Sequence, residues 1–181
     1  MILKIIIFHH KINSNINFMK NIIKKYFLFF LFSSILVFFD QYSKLFITAN
    51  FKNGKVLTLL EDIIEILYVE NYGAAFGILQ GKQYFFYVVT IIVLVLIIFY
   101  IFKLPFTKKY LPFWLAISML FSGSLGNFID RVKNKYVVDF IYFKPIDFPV
   151  FNVADILITL SCALFVVLIL FYYKEDDFKF L

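Results

Sequence analysis

Four apolar runs, each about as long as a bilayer's hydrocarbon core is thick, leave few folds open to this sequence. They cover about residues 26–47, 84–102, 111–129 and 153–173, and a helix needs about 20 apolar residues to cross ~30 Å of hydrocarbon. Lipid offers no partner to an exposed backbone, so each run is read as a helix that satisfies its own N–H and C=O groups. Hydrophobic residues make up 62% of the 181, where soluble domains carry roughly half. The expectation is a mainly α membrane protein: four transmembrane helices with a small extramembrane β-sheet between the first and second. Residues 19–181 are expected to form one four-helix domain. Residues 1–18, which include His9 and His10, read as a disordered extension or a mis-called start, because Met19 opens a basic flank directly before the first run. That run is too long for a signal-peptide core and lacks a small-residue cleavage site, so it reads as a retained helix.

The net charge of +6 raises the question of nucleic acid. The lysines sit at the ends of apolar runs and form no basic stripe with interleaved aromatics, so no nucleic-acid partner is expected; membrane lipids are the expected contact. The Lys and Arg count over all the flanks does not settle the orientation, but Lys20, Lys24 and Lys25 before the first span favour the cytoplasmic side for that end, and four spans return the C-terminus to it. Cys162 lies alone inside an apolar run and reads as a small packing residue, so no disulfide or cysteine-based metal site is available. No metal, cofactor or second subunit is expected.

Between the first two spans, Val56, Leu59, Ile64, Ile66 and Tyr68 fit short strands, punctuated by turns at Asn71-Tyr72-Gly73 and Gln80-Gly81. Elsewhere the informative residues are polar ones next to lipid. An ionisable side chain at membrane depth costs about 2.5–3.5 kcal/mol, so each calls for a partner or a task. Asp40 and Lys44, at i and i+4, share a helix face; the pair reads as a helix-end salt bridge with Lys44 snorkelling outward, or as one that orients substrate or a loop. The stretch Asn71 to Gly77 contains small residues that admit close backbone approach, or is an ordinary turn. Gly123, Asn127 and Asp130 recur on one helical face, while Arg131 must pair elsewhere than with its neighbour Asp130. Asp130 is read mainly as an anchor for an adjacent strand or loop.

Asp139 and Asp155 carry the most chemistry. Asp155 sits in the first turn of the fourth helix, where Asn152 fits an N-cap and an acid complements the macrodipole. A connection of 15 residues between the two acids, with Pro145 and Pro149, is able to bring both to one site. Two adjacent carboxylates share a proton, which supplies a general base for water and a general acid for a peptide carbonyl. No serine with a base, cysteine with histidine, HExxH or phosphate-binding loop competes.

The ordered motifs DQYSK (Asp40–Lys44), NYGAAFG (Asn71–Gly77), GSLGNFIDR (Gly123–Arg131), VVDF (Asp139) and FNVAD (Asp155) resemble those of bacterial lipoprotein signal peptidase, also called signal peptidase II or prolipoprotein signal peptidase. The resemblance implies an aspartic endopeptidase of the bacterial inner membrane that cuts diacylglyceryl-modified prolipoproteins before the lipidated cysteine. Both termini would be cytoplasmic and the site would lie near the outer leaflet. It implies Asp139 and Asp155 as the catalytic pair, with Asp40, Lys44, Asn71, Gly73, Gly123, Asn127, Asp130, Arg131, Asn152 and Ala154 supporting the site or touching substrate. The extension before Met19 and a rather short connection between the two acids depart from the family's pattern. A small ion- or proton-conducting transporter is the alternative, since intramembrane acids also mark ion paths; a non-catalytic membrane subunit is another.

Overall fold

The structure, a computed structural model, describes the backbone of residues 2–73 and 79–179 and the side chains of 19–73 and 79–179. In chain order the elements are α1 (Ile2–Phe51), β1 (Leu57–Leu60), β2 (Ile64–Asn71), α2 (Gln83–Lys103), α3 (Leu111–Asn134), β3 (Val137–Phe143), β4 (Phe148–Phe151) and α4 (Val153–Val167). Among the described residues four helices are long and apolar enough to cross a membrane, and they contain the four expected runs almost entirely. The chain divides into two compact units, Met1–Phe32 and Ser33–Leu181; the first is the N-terminal part of α1, and the second holds the sheet and the residues of the site. The backbone of residues 2–18, which the sequence reads as a disordered extension or a mis-called start, is helical. The first glycine of the chain is Gly54 and the first proline Pro105, so nothing punctuates this stretch.

α3 packs against both α2 and α4. Half of its most apolar stretch is buried, against 11–17% in the other spans. Its small and polar residues explain this: Ser118, Ser122, Gly123, Gly126, Asn127 and Asp130 are all buried. The three remaining spans instead turn large apolar side chains outward, as a lipid-facing surface requires.

The expected sheet is present but larger than the sequence indicated. It is antiparallel, in the order β1-β2-β3-β4, and two of its strands come from the segment between α3 and α4 that reads as an aromatic loop. β3 lies in its interior, with Val69 opposite Asp139 and Asn71 opposite Val137. Alternation along β3 divides its side chains. Val138 and Phe140 join a buried cluster with Ile47 and Phe51 at the end of α1. Val137 and Asp139 line a cavity on the other side. Packing against α1 on one face and the cavity wall on the other leaves residues 137–140 all buried.

Candidate active site

The cavity measures about 620 Å³, and its wall includes Asp139, Asp155, Asn71, Asn127 and Arg131. Asp139 enters from β3 and Asp155 from the first turn of α4, where Asn152 is the N-cap and a complete capping box forms. In that box the Asn152 Oδ1 accepts from the Asp155 backbone N–H (3.0 Å), and the Asp155 Oδ2 accepts from the Asn152 N–H (3.1 Å). The Asn152 side chain also donates to Asp139 Oδ1 (2.6 Å). One residue therefore bonds both acids.

Three asparagine amides face the carboxylates, and in each the orientation is fixed by a group that can only donate. Lys44 donates to Asn127 Oδ1 (2.9 Å), which turns Asn127 Nδ2 toward Asp155 Oδ1 (2.8 Å). The Gly73 backbone N–H occupies Asn71 Oδ1 (2.9 Å), which leaves Asn71 Nδ2 for Asp139 Oδ2 (2.8 Å). The Asp155 N–H fixes Asn152 in the same way, and Asn152 Nδ2 also reaches Asn127 Oδ1 (3.2 Å). Every oxygen of both carboxylates thus accepts one hydrogen bond from a committed donor.

Asp139 is 2% exposed. Burial pushes its carboxyl up to about 7; the charge of Asp155 adds to the rise, and the amides of Asn71 and Asn152 oppose it. Asp139 is thereby poised to hold a proton near neutrality.

Behind the pair stands a buried ionic cluster. Lys44 lies 3.0 Å from Asp40 Oδ2 and 3.0 Å from Asp130 Oδ2. The expected snorkelling does not occur: Lys44 is 3% exposed and Asp40 fully buried. With two acids and an asparagine inside the helices, the ammonium is better bonded there than at the interface. Asp40 Oδ1 accepts from the Ala154 N–H (2.9 Å), so α1 helps satisfy the start of α4. Asp130 Oδ2 accepts from the Val138 N–H (3.2 Å), which fastens the start of β3 to α3 as the anchoring reading expects. A side chain at Gly123 would come within 2.5 Å of the Ala154 carbonyl, so the glycine lets α3 and α4 meet at this level.

Arg131 bonds to backbone carbonyls, one on its own helix and one on the turn after β2. Its guanidinium donates to the Gly73 carbonyl (3.1 Å) and lies 4.5 Å from the centre of the Phe86 ring, which ties the turn after β2 to α2 and α3. The rest of the NYGAAFG motif, residues 74–77, lies outside the described residues. The described residues contain no cluster of acids, histidines and cysteines able to hold a metal ion.

Several residues at the site carry no individual signal in the sequence. Gln41 donates to Asp40 Oδ2 (3.1 Å), the Gly126 carbonyl (3.2 Å) and Asp130 Oδ1 (3.1 Å); its place beside Asp40 in DQYSK is its only sequence cue. Gly126 leaves room for Asp40, whose Oδ2 would clash with an added side chain. Tyr87 donates to the Arg131 carbonyl (2.8 Å), and nothing in the apolar run around it marks this out.

Residues 31–171 match the sequence family described as signal peptidase (SPase) II. The chain belongs to the signal peptidase II family. It is a peptidase and a multi-pass membrane protein, and the transporter alternative is not favoured. A lipoprotein signal peptidase of Clostridium tetani is 38% identical over 146 residues, covering 79% of this chain and 90% of the relative. One from Streptococcus pyogenes serotype M5 is 39% identical over 153 residues, covering 83% and 96%. A bacterial membrane enzyme solved by the in meso method at 1.9 Å resolution superposes with a TM-score of 0.70 at 37% identity, covering 81% of this chain and 94% of that one.

Proposed function

We propose that Asp139 and Asp155 are the catalytic pair of an aspartic endopeptidase that removes signal peptides from diacylglyceryl-modified prolipoproteins, cutting before the lipidated cysteine. The observation that carries this reading is the convergence of both carboxylates on one cavity through Asn152. Asp139 holds the shared proton, and Asp155, at a helix N-terminus that favours its anion, is the base. Asp155 takes a proton from water as the water oxygen bonds to the scissile carbonyl carbon, while Asp139 protonates the carbonyl oxygen. When the resulting tetrahedral diol collapses, the C–N bond breaks, the leaving nitrogen takes the proton held by Asp155, and a hydroxyl proton returns to Asp139. Asn71, Asn127 and Asn152 hold the carboxylates. Asp40, Lys44, Asp130, Gly123 and Ala154 hold the elements that carry them, and Arg131 with Gly73 shapes the wall facing substrate. The chain works as a monomer in the bacterial inner membrane, with both termini cytoplasmic and the site near the outer leaflet.

The decisive experiment incubates the purified protein with a prolipoprotein in its diacylglyceryl-modified and unmodified forms. Cleavage of the modified form alone, immediately before the modified cysteine, is expected. Cleavage of both forms equally, or of neither, overturns the assignment.

A pH test reports on Asp139 itself. Its pKa is raised, so the acid form is present below about 7 and lost above it, and kcat is expected to fall as pH rises through that value. Asn71→Ala removes a donor that stabilises the Asp139 anion, which raises the pKa further and is expected to move the alkaline limb of the kcat profile to higher pH. A limb that stays in place or moves down in the variant contradicts the assignment of the proton to Asp139.

A further inference from the structure

We propose that Glu70 and the tyrosines around it, Tyr68, Tyr72 and Tyr136, are positioning residues that hold Asn71 against Asp139 from the far side of the sheet. The inference rests on the active-site reading above, in which Asn71 steadies the carboxyl that keeps the proton. Asn71 is the last residue of β2, and its pairing with Val137 ends the ladder to β3. Chain at such an end opens readily unless something outside the ladder holds it. Toward the site, Asn71 Nδ2 donates to Asp139 Oδ2, and the Gly73 N–H donates to Asn71 Oδ1. Away from it, both oxygens of Glu70 accept from tyrosines: Oε1 from Tyr68 (2.8 Å) and Oε2 from Tyr72 (2.7 Å). The Tyr68 and Tyr136 hydroxyls lie 3.1 Å apart; because Tyr68 gives its proton to Glu70, Tyr136 donates to Tyr68. The rings of Tyr72 and Tyr136 are 5.4 Å apart. Tyr68 and Tyr136 pack on the cluster of Ile47, Phe51, Val138 and Phe140, on the face of the sheet turned from the cavity. The chain is thus gripped at residues 70 and 72, and Asn71 lies between them.

The tyrosines carry this clasp. Hydrogen bonds to an ionised acceptor are about twice as strong as neutral ones, whereas the contact of Glu70 with Lys52 (3.2 Å) involves a lysine that is 55% exposed, and a surface ion pair adds little. The hydroxyls of Tyr72 and Tyr68 hold the Glu70 carboxyl down at about 2 against its partial burial. Glu70 is therefore an anion, and the clasp closed, throughout the range in which Asp139, raised to about 7, exchanges its proton. The amide of Asn71 opposes that rise, so an Asn71 that wanders lets Asp139 rise further. Glu70 itself is a poor place to cut, because the loss of its negative charge acts on Asp139 in the opposite sense. Tyr72 is neutral at these pH values and 45% exposed, so its truncation opens the clasp and leaves charge and core as they are.

The test measures kcat against pH for the full-length protein in detergent micelles, with a diacylglyceryl-modified prolipoprotein peptide as substrate. Tyr72→Ala is expected to move the alkaline limb to higher pH by about one unit or less, the worth of one net hydrogen bond. Tyr72→Phe, which loses the bond to Glu70 and keeps its ring, should move it the same way and less. Asn71→Ala should move it at least as far as Tyr72→Ala, and Tyr72→Ala added to Asn71→Ala should move it no further, because both act through one contact. A purely structural role for Tyr72 would lower the unfolding midpoint and leave the limb in place. A limb that stays put in Tyr72→Ala while Asn71→Ala moves it, or shifts that add in the double variant, overturns the clasp and leaves the active-site reading standing. If Asn71→Ala leaves the limb in place as well, or the parent peptide is not cleaved, both fall together.

Discussion

Replacing either Asp139 or Asp155 by asparagine is expected to lower kcat by about 10³-fold or more, since each removes one half of an acid–base pair and such groups contribute roughly 10²–10⁴-fold apiece. The substitutions are not silent for the fold. Both oxygens of Asp139 accept from amide NH₂ groups, and those of Asp155 from an amide and a backbone N–H. An asparagine in either place would turn its own NH₂ against a donor that cannot reverse. One hydrogen bond is lost and one buried donor is left unmet, at a cost of about 1–3 kcal/mol. Each variant should therefore insert and unfold cooperatively in detergent, at a modestly lower midpoint, with cleavage gone. Measurement of kcat on the lipid-modified substrate beside thermal unfolding separates the two effects. Near-normal cleavage by either variant would sink the catalytic assignment.

The second large effect is expected at Lys44. Its ammonium is the shared partner of Asp40 and Asp130 and the group that sets the orientation of Asn127. Lys44→Met leaves two buried carboxylates facing each other without a cation. Breaking a buried ion pair from one side costs about 3–5 kcal/mol, a large share of a typical folding free energy, so little folded protein is expected. Lys44→Met combined with Asp40→Asn and Asp130→Asn removes the uncompensated charge and should recover folded protein, read as a cooperative melt. Activity should fall, because Asn127 then keeps only the longer bond from Asn152 to hold its NH₂ toward Asp155. Full activity in the triple variant would mean that Lys44 serves only the fold.

Much of this was legible in the sequence, and the reasons differ from element to element. The four spans follow from length and lipid solvation alone. Asn152 as the cap of α4 and Asp155 in its first turn follow from helix-end chemistry, and Asp130 as an anchor for a following strand follows from its placement at the end of α3. β3 and β4 were not legible. A strand buried on both faces, VVDFIYF, reads as a near-continuous apolar run and gives no alternating signal, so half of the sheet passed for a loop. The burial of Lys44 was hidden for another reason: an i, i+4 pair reports contact along one helix and is silent about a third partner, and Asp130 lies far away in sequence. Residues 2–18 divide into an apolar half, ILKIIIF, and a more polar half with His9, His10 and three asparagines, a pattern with no amphipathic period to announce a helical backbone.

The two carboxylates arrive on elements of different kinds. Asp155 belongs to a helix, whose backbone hydrogen bonds are mostly its own, whereas Asp139 belongs to a strand, which needs β2 on one side and β4 on the other. Asn152 joins them: its Oδ1 caps α4 from within the helix, and its Nδ2 reaches Asp139 on the strand. On the catalytic reading proposed above, the helices alone carry one of the two carboxylates, and the sheet supplies the other. On that reading, a chain whose sheet has not formed would lack Asp139 at the site, and with it the proton that the proposed reaction needs.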